Sequence, residues 1–372
     1  MKFTALDLAA SPVRHLAPYV PGKPMSELER EYGISNSIKL ASNENPLGPG
    51  PKARAAILQA AQQVGQYPDG SGFELRQALA KKYGCRMEQV TLANGSNEML
   101  VMLAETFLTS EVEAVYSQYC FVVYPLAVQA TGATARVAAA YPAAHAMALG
   151  HDLDAMSSLV NARTRMVFIA NPNNPTGTWL EASALKGFIG SVPATTLVVV
   201  DEAYIEYVQD GSFADCSQWL DEFANLIVVR TFSKAYGLAG LRVGYALSSA
   251  SIAETLNRVR QPFNVNSIAL SAAAAALTDT GHLRESVQLN TRGMQQVVSG
   301  IQQLGLHVHP SKGNFVLVDC ARPSGEVYEA LLRQGVIVRP VAGYGLPTQL
   351  RISIGTDAEN ARLLSALATV VQ

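Results

Sequence analysis

At 372 residues the chain exceeds the roughly 100–200 residues of a typical domain, and it is 49% hydrophobic but only 16% charged, against about 25% charged for an average soluble protein. That balance excludes a mainly disordered polypeptide and predicts two domains with much buried surface and a subunit interface. A formal charge of −2 with no Lys/Arg cluster excludes nucleic acid as the partner.

The opening segment, MKFTALDLAASPVRHLAPYVPG, has no continuous apolar stretch because Asp7, Arg14 and Pro12, Pro18 and Pro21 interrupt it. No secretory signal is read there, and a cytoplasmic location is the expectation. Residues 1–45 are expected to form an N-terminal arm that wraps over another unit or a partner subunit. Helical patterns follow over Lys52–Val64 and Phe73–Tyr83, the second stopped by Gly84, and after the strand Val90–Ala93 a third runs over Asn97–Leu108. Ala114–Ala135 carries no charge, but Gln118, Pro125, Gln129 and Gly132 would be costly in hydrocarbon, so it reads as buried protein and not as a membrane span. Apolar strands Met166–Ala170, Leu197–Val200 and Leu226–Thr231, alternating with helices, predict an α/β fold with a mostly parallel sheet in a large domain of residues 46–275. Alanines 272–276 fit a tightly packed helix.

Residues 276–372 predict a smaller α+β domain. GLHVHP and NFVLVDC read as strands, Ser324–Gln334 as a helix, VIVRPV and LRISIG as further strands, and Thr356 with Glu359 as the capping box of a closing helix. Cys85, Cys120, Cys216 and Cys320 lie far apart with no CxxC, which suits neither a disulfide framework nor a zinc site and fits core thiols in a reducing compartment. His307 and His309 alternate on one strand without a third ligand, so no metal site is assigned. Trp179 and Trp219 read as core or interface rings, and Thr176 and Gly177 as turn-shaping residues.

Three predicted strands end in polar residues: Asn174 in NPNNPTG, Asp201, and Lys234 in FSK. The carboxyl ends of parallel strands line the ligand crevice, so an amide, a carboxylate and an amine converge there. A plain buried Asp201–Lys234 ion pair is the structural alternative. The strand Val90–Ala93 leads through Asn94 and Gly95 to a helix opening at Ser96 and Asn97, where backbone N–H groups favour an anion, and GLAGLRVGY brings Arg242 within reach. A molecule with a phosphate, an aldehyde for the amine and a ring nitrogen for the carboxylate meets these demands together: pyridoxal 5′-phosphate.

With NENPLGP at 43–49, YPDG at 67–70, GSNE at 95–98, NPNNPTG at 171–177, DEAYIEY at 201–207, TFSKAYGLAGLRVGY at 231–245, PFNVN at 262–266, VIVRP at 336–340 and LRISIG at 350–355, the chain resembles the fold-type I pyridoxal-phosphate aminotransferases, most closely their histidinol-phosphate branch. The resemblance implies that Lys234 binds the cofactor aldehyde covalently and later moves a proton, that Asp201 pairs with the ring nitrogen, and that Tyr204 and Asn174 hydrogen-bond its phenolic oxygen. It assigns the cofactor phosphate to Ser96, Asn97, Ser233 and Arg242, with Tyr67 reaching across from the second subunit of a homodimer. An aromatic ring stacks on the cofactor in relatives; here SQYCFVVYP lacks the usual proline, and counting back from Tyr124 gives Phe121, with Tyr119 as the alternative. Arg339 and Arg351 are expected to hold substrate phosphate or carboxylate, with Tyr19, Asn97 and Asn45 nearby.

The implied activity is ping-pong transamination of L-histidinol phosphate with 2-oxoglutarate, a step of histidine biosynthesis. An aromatic amino-acid aminotransferase, a phosphothreonine decarboxylase-like lyase and a non-enzymatic cofactor-binding homologue are the alternatives.

Overall fold

The computed structural model describes residues 4–371 apart from 20, 212 and 214. The arm contributes a short strand, β1 (Ile38–Lys39). Seven strands then build the central sheet: β2 (Val90–Ala93), β3 (Glu113–Ser117), β4 (Thr134–Ala138), β5 (Thr164–Ala170), β6 (Leu197–Asp201), β7 (Leu226–Thr231) and β8 (Gly244–Leu247), in the order β2-β8-β7-β6-β5-β3-β4. All neighbours run parallel except β8, which is antiparallel to both β2 and β7.

The continuous Val/Ile/Leu runs follow from this position. Val198 and Val200 enter one core with Leu226 and Val228, while Val199, Ile227 and Val229 enter another on the opposite face. Both faces are therefore covered, as parallel strands require. Helices spanning Pro51–Ala60, Phe73–Tyr83 and Ser96–Phe107 agree with the sequence patterns, the second ending at Gly84 in the left-handed conformation (φ 65°). The first stops early, passing into a 3₁₀ turn at Ala61–Gln63.

The remaining strands are β9 (His307–Val308), β10 (Phe315–Asp319), β11 (Val336–Ile337), β12 (Arg339–Pro340) and β13 (Gln349–Ser353). A 24-residue helix, Thr280–Gln303, leads into a four-stranded antiparallel sheet ordered β12-β13-β10-β9. Thr356 and Glu359 form the expected capping box: the Glu359 carboxylate accepts the Thr356 N–H at 2.8 Å, and Thr356 Oγ1 accepts the Glu359 N–H at 3.3 Å.

One expectation needs correction. VIVRPV is not one strand: β11 pairs in parallel with β1, whereas β12 pairs with β13 in the other sheet. Extended backbone looks alike in both, and the switch at Val338 is set by partners far away in sequence. Ala114–Ala135 holds the buried end of β3 and the helix Val123–Thr131. Among the described residues no helix is long and apolar enough to cross a membrane, and the four cysteines are free thiols.

Candidate active site

A cavity of about 180 Å³ opens where the carboxyl ends of β5, β6 and β7 face the four-stranded sheet. That is far more than the ~10–15 Å³ one water requires, so the space suits a ring-sized molecule. Asp201, the last residue of β6, is 5% exposed; its Oδ2 accepts the Tyr124 O–H at 3.0 Å and its Oδ1 the Ala203 N–H at 3.2 Å. Burial pushes its carboxyl up to about 6. Lys234 lies just beyond β7, and its Nζ donates to the Ser42 carbonyl at 3.0 Å. Burial, helped by the cationic Arg351 and Arg242, brings its amine down to about 7, so near neutral pH much of it is an uncharged nucleophile. No Asp201–Lys234 ion pair forms among the described residues; both groups line the cavity instead.

Ser96, Ser233 and Arg242 line the cavity together. Arg242 has a left-handed backbone (φ 58°), and its Nη1 donates to Ser233 Oγ at 3.4 Å and the Ala239 carbonyl at 3.1 Å. Gly95 (φ 89°) caps the helix that Ser96 opens, and a Cβ there would overlap the Arg242 guanidinium. Glycine thus lets the helix terminus and the guanidinium share one anion cradle, and the cradle fits a phosphate. Gly95→Ala is expected to push Arg242 aside, strain the turn and weaken retention of pyridoxal phosphate about tenfold or more, at roughly 1.5–3 kcal/mol per charge-assisted hydrogen bond. Equilibrium dialysis of the cofactor would read this, and wild-type retention would refute it.

The side facing the small sheet carries the arginines. Arg351 is 9% exposed; its Nη1 donates to Asn174 Oδ1 and its Nη2 to the Ala41 carbonyl, each at 2.6 Å, while its Nε is buried with no partner among the described residues. Asn174 therefore has its amide nitrogen left for the cavity. Arg339 sits directly opposite Arg351 in the β12–β13 register, its guanidinium 5.5 Å from the centre of the Tyr19 ring. Like charges at opposed positions repel unless an anion lies between them, which suits a phosphate or carboxylate head group.

Tyr19, Asn97, Phe121 and Tyr204 also line the cavity. Phe121 is the ring on that wall. Tyr119 packs instead near Leu317, Val341 and Leu346. Tyr67 is not brought in: it is 84% exposed and stacks on Phe263 at 4.8 Å. Asn45 is not a cavity residue either, against expectation; its Nδ2 donates to the Ala235 carbonyl and to Ser286 Oγ, both at 2.8 Å, so it braces the arm. Thr176 Oγ1 accepts from Asn173 Nδ2 at 2.8 Å within the turn that presents Asn174. Ser42, Asn43 and Tyr124 carry no local sequence signal that ties them to Lys234, Tyr204 and Asp201. The first acts through its carbonyl, and the other two act on residues distant in the chain.

The family model Aminotransferase class I and II matches residues 35–367. Histidinol-phosphate aminotransferase 2 of Pseudomonas aeruginosa is 56% identical over 368 residues, 98% of each chain. Histidinol-phosphate aminotransferase 1 of Nitrosococcus oceani is 50% identical over 366 residues, 98% of this chain and 97% of that one. Among solved structures, histidinol-phosphate aminotransferase from Sinorhizobium meliloti in complex with pyridoxal-5′-phosphate matches with a TM-score of 0.88 at 30% identity, covering 100% of this chain and 97% of that chain. L-threonine-O-3-phosphate decarboxylase from Porphyromonas gingivalis shares the fold at a TM-score of 0.78 and 21% identity, covering 89% of this chain and 98% of that chain.

Proposed function

The chain belongs to the class I and II aminotransferases and, within them, to the histidinol-phosphate aminotransferases, and from that premise we propose that it transfers the amino group of L-histidinol phosphate to 2-oxoglutarate, giving imidazole acetol phosphate and glutamate. It is a pyridoxal-phosphate-dependent enzyme of fold type I. The observation that carries the reading is a buried amine brought down to about 7 and a buried carboxyl on one cavity, with an anion cradle beside them and an opposed arginine pair facing them.

When bound, the cofactor supplies an aldehyde for the amine and an electron sink for the substrate's α-carbon. Lys234 would hold it and then, as a base poised near neutral pH, move the proton at the substrate carbon. Asp201, ionised opposite a ring cation, would keep the ring nitrogen protonated. Ser96, Asn97, Ser233 and Arg242 would anchor the phosphate. Phe121 would cover the ring face, and Tyr204 with the amide nitrogen of Asn174 would bond its phenolic oxygen. Arg351 and Arg339, beside Tyr19, would take the phosphate of one substrate and a carboxylate of the other, so one site serves both halves of the reaction.

A homodimer is part of the reading. Leu58, Val64, Tyr67, Phe73 and Phe263 are exposed apolar side chains that a second subunit would cover, and Tyr67 would then complete the partner's phosphate site. The division into an arm of residues 1–45, a cofactor domain of 46–275 and a small domain of 276–372, a cytoplasmic location and a place in histidine biosynthesis belong to the same proposal.

Half-reactions of the yellow enzyme test it, with histidinol phosphate, phenylalanine and phosphothreonine offered separately. Histidinol phosphate is expected to bleach the visible band with the highest specificity constant. Equal or better reaction of phenylalanine would move the assignment to an aromatic aminotransferase, and release of carbon dioxide without keto-acid consumption would make it a lyase.

A further inference from the structure

Asn43 touches all three parts of the chain and is absent from the residues that sequence alone brings to the site. It is 1% exposed with a left-handed backbone (φ 55°), and its carbonyl accepts from Asn314 Nδ2 at 3.0 Å. Its side chain lies between Ser353 of β13 and Tyr204, which follows β6.

One arrangement of the hydrogen bonds around it partners both ends of the Asn43 amide and also gives the Ser353 proton an acceptor. The Asn43 backbone N–H can only donate, and it donates to Ser353 Oγ at 2.8 Å. That hydroxyl keeps its own proton and gives it to Asn43 Oδ1, 3.0 Å away. The opposite amide orientation would set Asn43 Nδ2 beside the Ser353 hydroxyl and leave that buried proton without an acceptor among the described residues, so the nitrogen faces Tyr204. Nδ2 then donates to the Tyr204 hydroxyl oxygen at 2.9 Å. With that oxygen engaged as an acceptor, the phenolic proton must point away from Asn43. Tyr204 is a cavity-lining residue, and among the described residues no protein acceptor takes its proton.

We infer that Asn43, held by Ser353, is a positioning residue that aims the Tyr204 hydroxyl proton into the cavity, at the phenolic oxygen of bound pyridoxal phosphate. The inference rests on the cofactor site proposed above. It explains why an amide stands here: a carboxylate could only accept, and would draw the Tyr204 proton out of the cavity. It also gives the arm a task in the site. Three consecutive residues each hold a different functional group: the Ala41 carbonyl holds Arg351, the Ser42 carbonyl holds Lys234, and the Asn43 amide holds Tyr204. The Ser353 N–H donates to the Leu40 carbonyl at 2.8 Å, so the small sheet fixes this stretch of arm.

The test is a pH titration of the visible absorbance of the resting, cofactor-loaded enzyme. Asn43→Asp keeps a residue that tolerates a left-handed backbone, so the substitution changes the hydrogen-bond direction with little strain. Arg351, Asp201, Tyr344 and Lys234 surround Tyr204 and are unchanged in every variant, so their influence is common to the series. The midpoint in Asn43→Asp is expected to shift by about one pH unit, as one hydrogen bond's worth of free energy implies, and in the same direction as in Tyr204→Phe.

Combining Asn43→Asp with Tyr204→Phe is expected to add almost nothing to Tyr204→Phe alone, because both act on one proton. Ser353→Ala, which frees the Asn43 amide to turn, is expected to give a smaller shift of the same sign, and it serves as the measurement if Asn43→Asp does not fold. A wild-type midpoint in the single variants, or shifts that add fully in the combination, would overturn the inference. A wild-type protein that binds no cofactor would instead overturn the proposed function.

Discussion

Lys234→Ala is expected to lower kcat/KM for transamination by at least about 10⁴-fold, while the cofactor-free protein stays folded. The activity loss combines two functions in one amine. General acid-base transfer alone is worth roughly 10²–10⁴-fold, and the covalent tether that orients the ring is lost with it. Stability behaves differently because the lysine is held below its ordinary range by burial and by the cations Arg351 and Arg242. A group that the fold forces to give up its proton contributes nothing to folding at neutral pH that an alanine would forfeit, apart from its bond to the Ser42 carbonyl. Turnover assays beside thermal unfolding of the cofactor-free protein would separate the two. Activity within about tenfold of wild type would contradict the assignment of Lys234.

Asp201→Asn is expected to have opposite effects on catalysis and on the stability of the cofactor-free protein. Removing a charge aimed at the reacting group typically costs about 10²–10³-fold in rate, and an amide cannot hold a ring cation. In the cofactor-free protein the wild-type carboxyl titrates at about 6 instead of the ordinary 3.8. Between those values the folded state binds more protons than the unfolded one, so stability falls as pH rises toward 6, and the full penalty remains above it. A displacement of that size corresponds to about 3 kcal/mol. The asparagine variant escapes it, with its amide oxygen still accepting the Ala203 N–H and its amide nitrogen donating to the Tyr124 hydroxyl oxygen. Denaturant unfolding of both cofactor-free proteins should give the variant the advantage at pH 7.5 and little difference at pH 4. An advantage for wild type at pH 7.5 would show that Asp201 is matched by a partner within the protein itself.

The parts of this molecule that sequence discloses are those whose chemistry is local. β5 to β7 contain the unbroken apolar runs Met166–Ala170, Leu197–Val200 and Leu226–Val229, because strands buried on both faces need no polar alternation, and a polar residue that follows such a run marks the crevice. Asn174, Asp201 and Lys234 stand out for that reason. β4 is a half-exposed edge strand, TARVA, without an apolar run, and β8 is four residues beginning with glycine. Neither has a local signature. The split of VIVRPV between two sheets depends on β1 and β13, which no local pattern in that segment encodes.

The same logic applies within the site. Ser42 serves through a carbonyl that any residue would supply, and it meets Lys234 across 192 positions of sequence. Asn43 carries a specific side chain, but its partner Tyr204 lies 161 positions away and nothing nearby signals the pairing. Phe121 and Tyr119 are both aromatic and two residues apart, so only the fold could separate the cavity wall from the neighbouring core.

Borohydride reduction of the yellow protein, followed by proteolysis and mass spectrometry of the cofactor-bearing peptide, would show which amine holds the cofactor. One reduced pyridoxyl group per chain, carried by Lys234 alone, is the expected result. Recovery of the label on any other lysine, or a reduced protein that carries none, would contradict it.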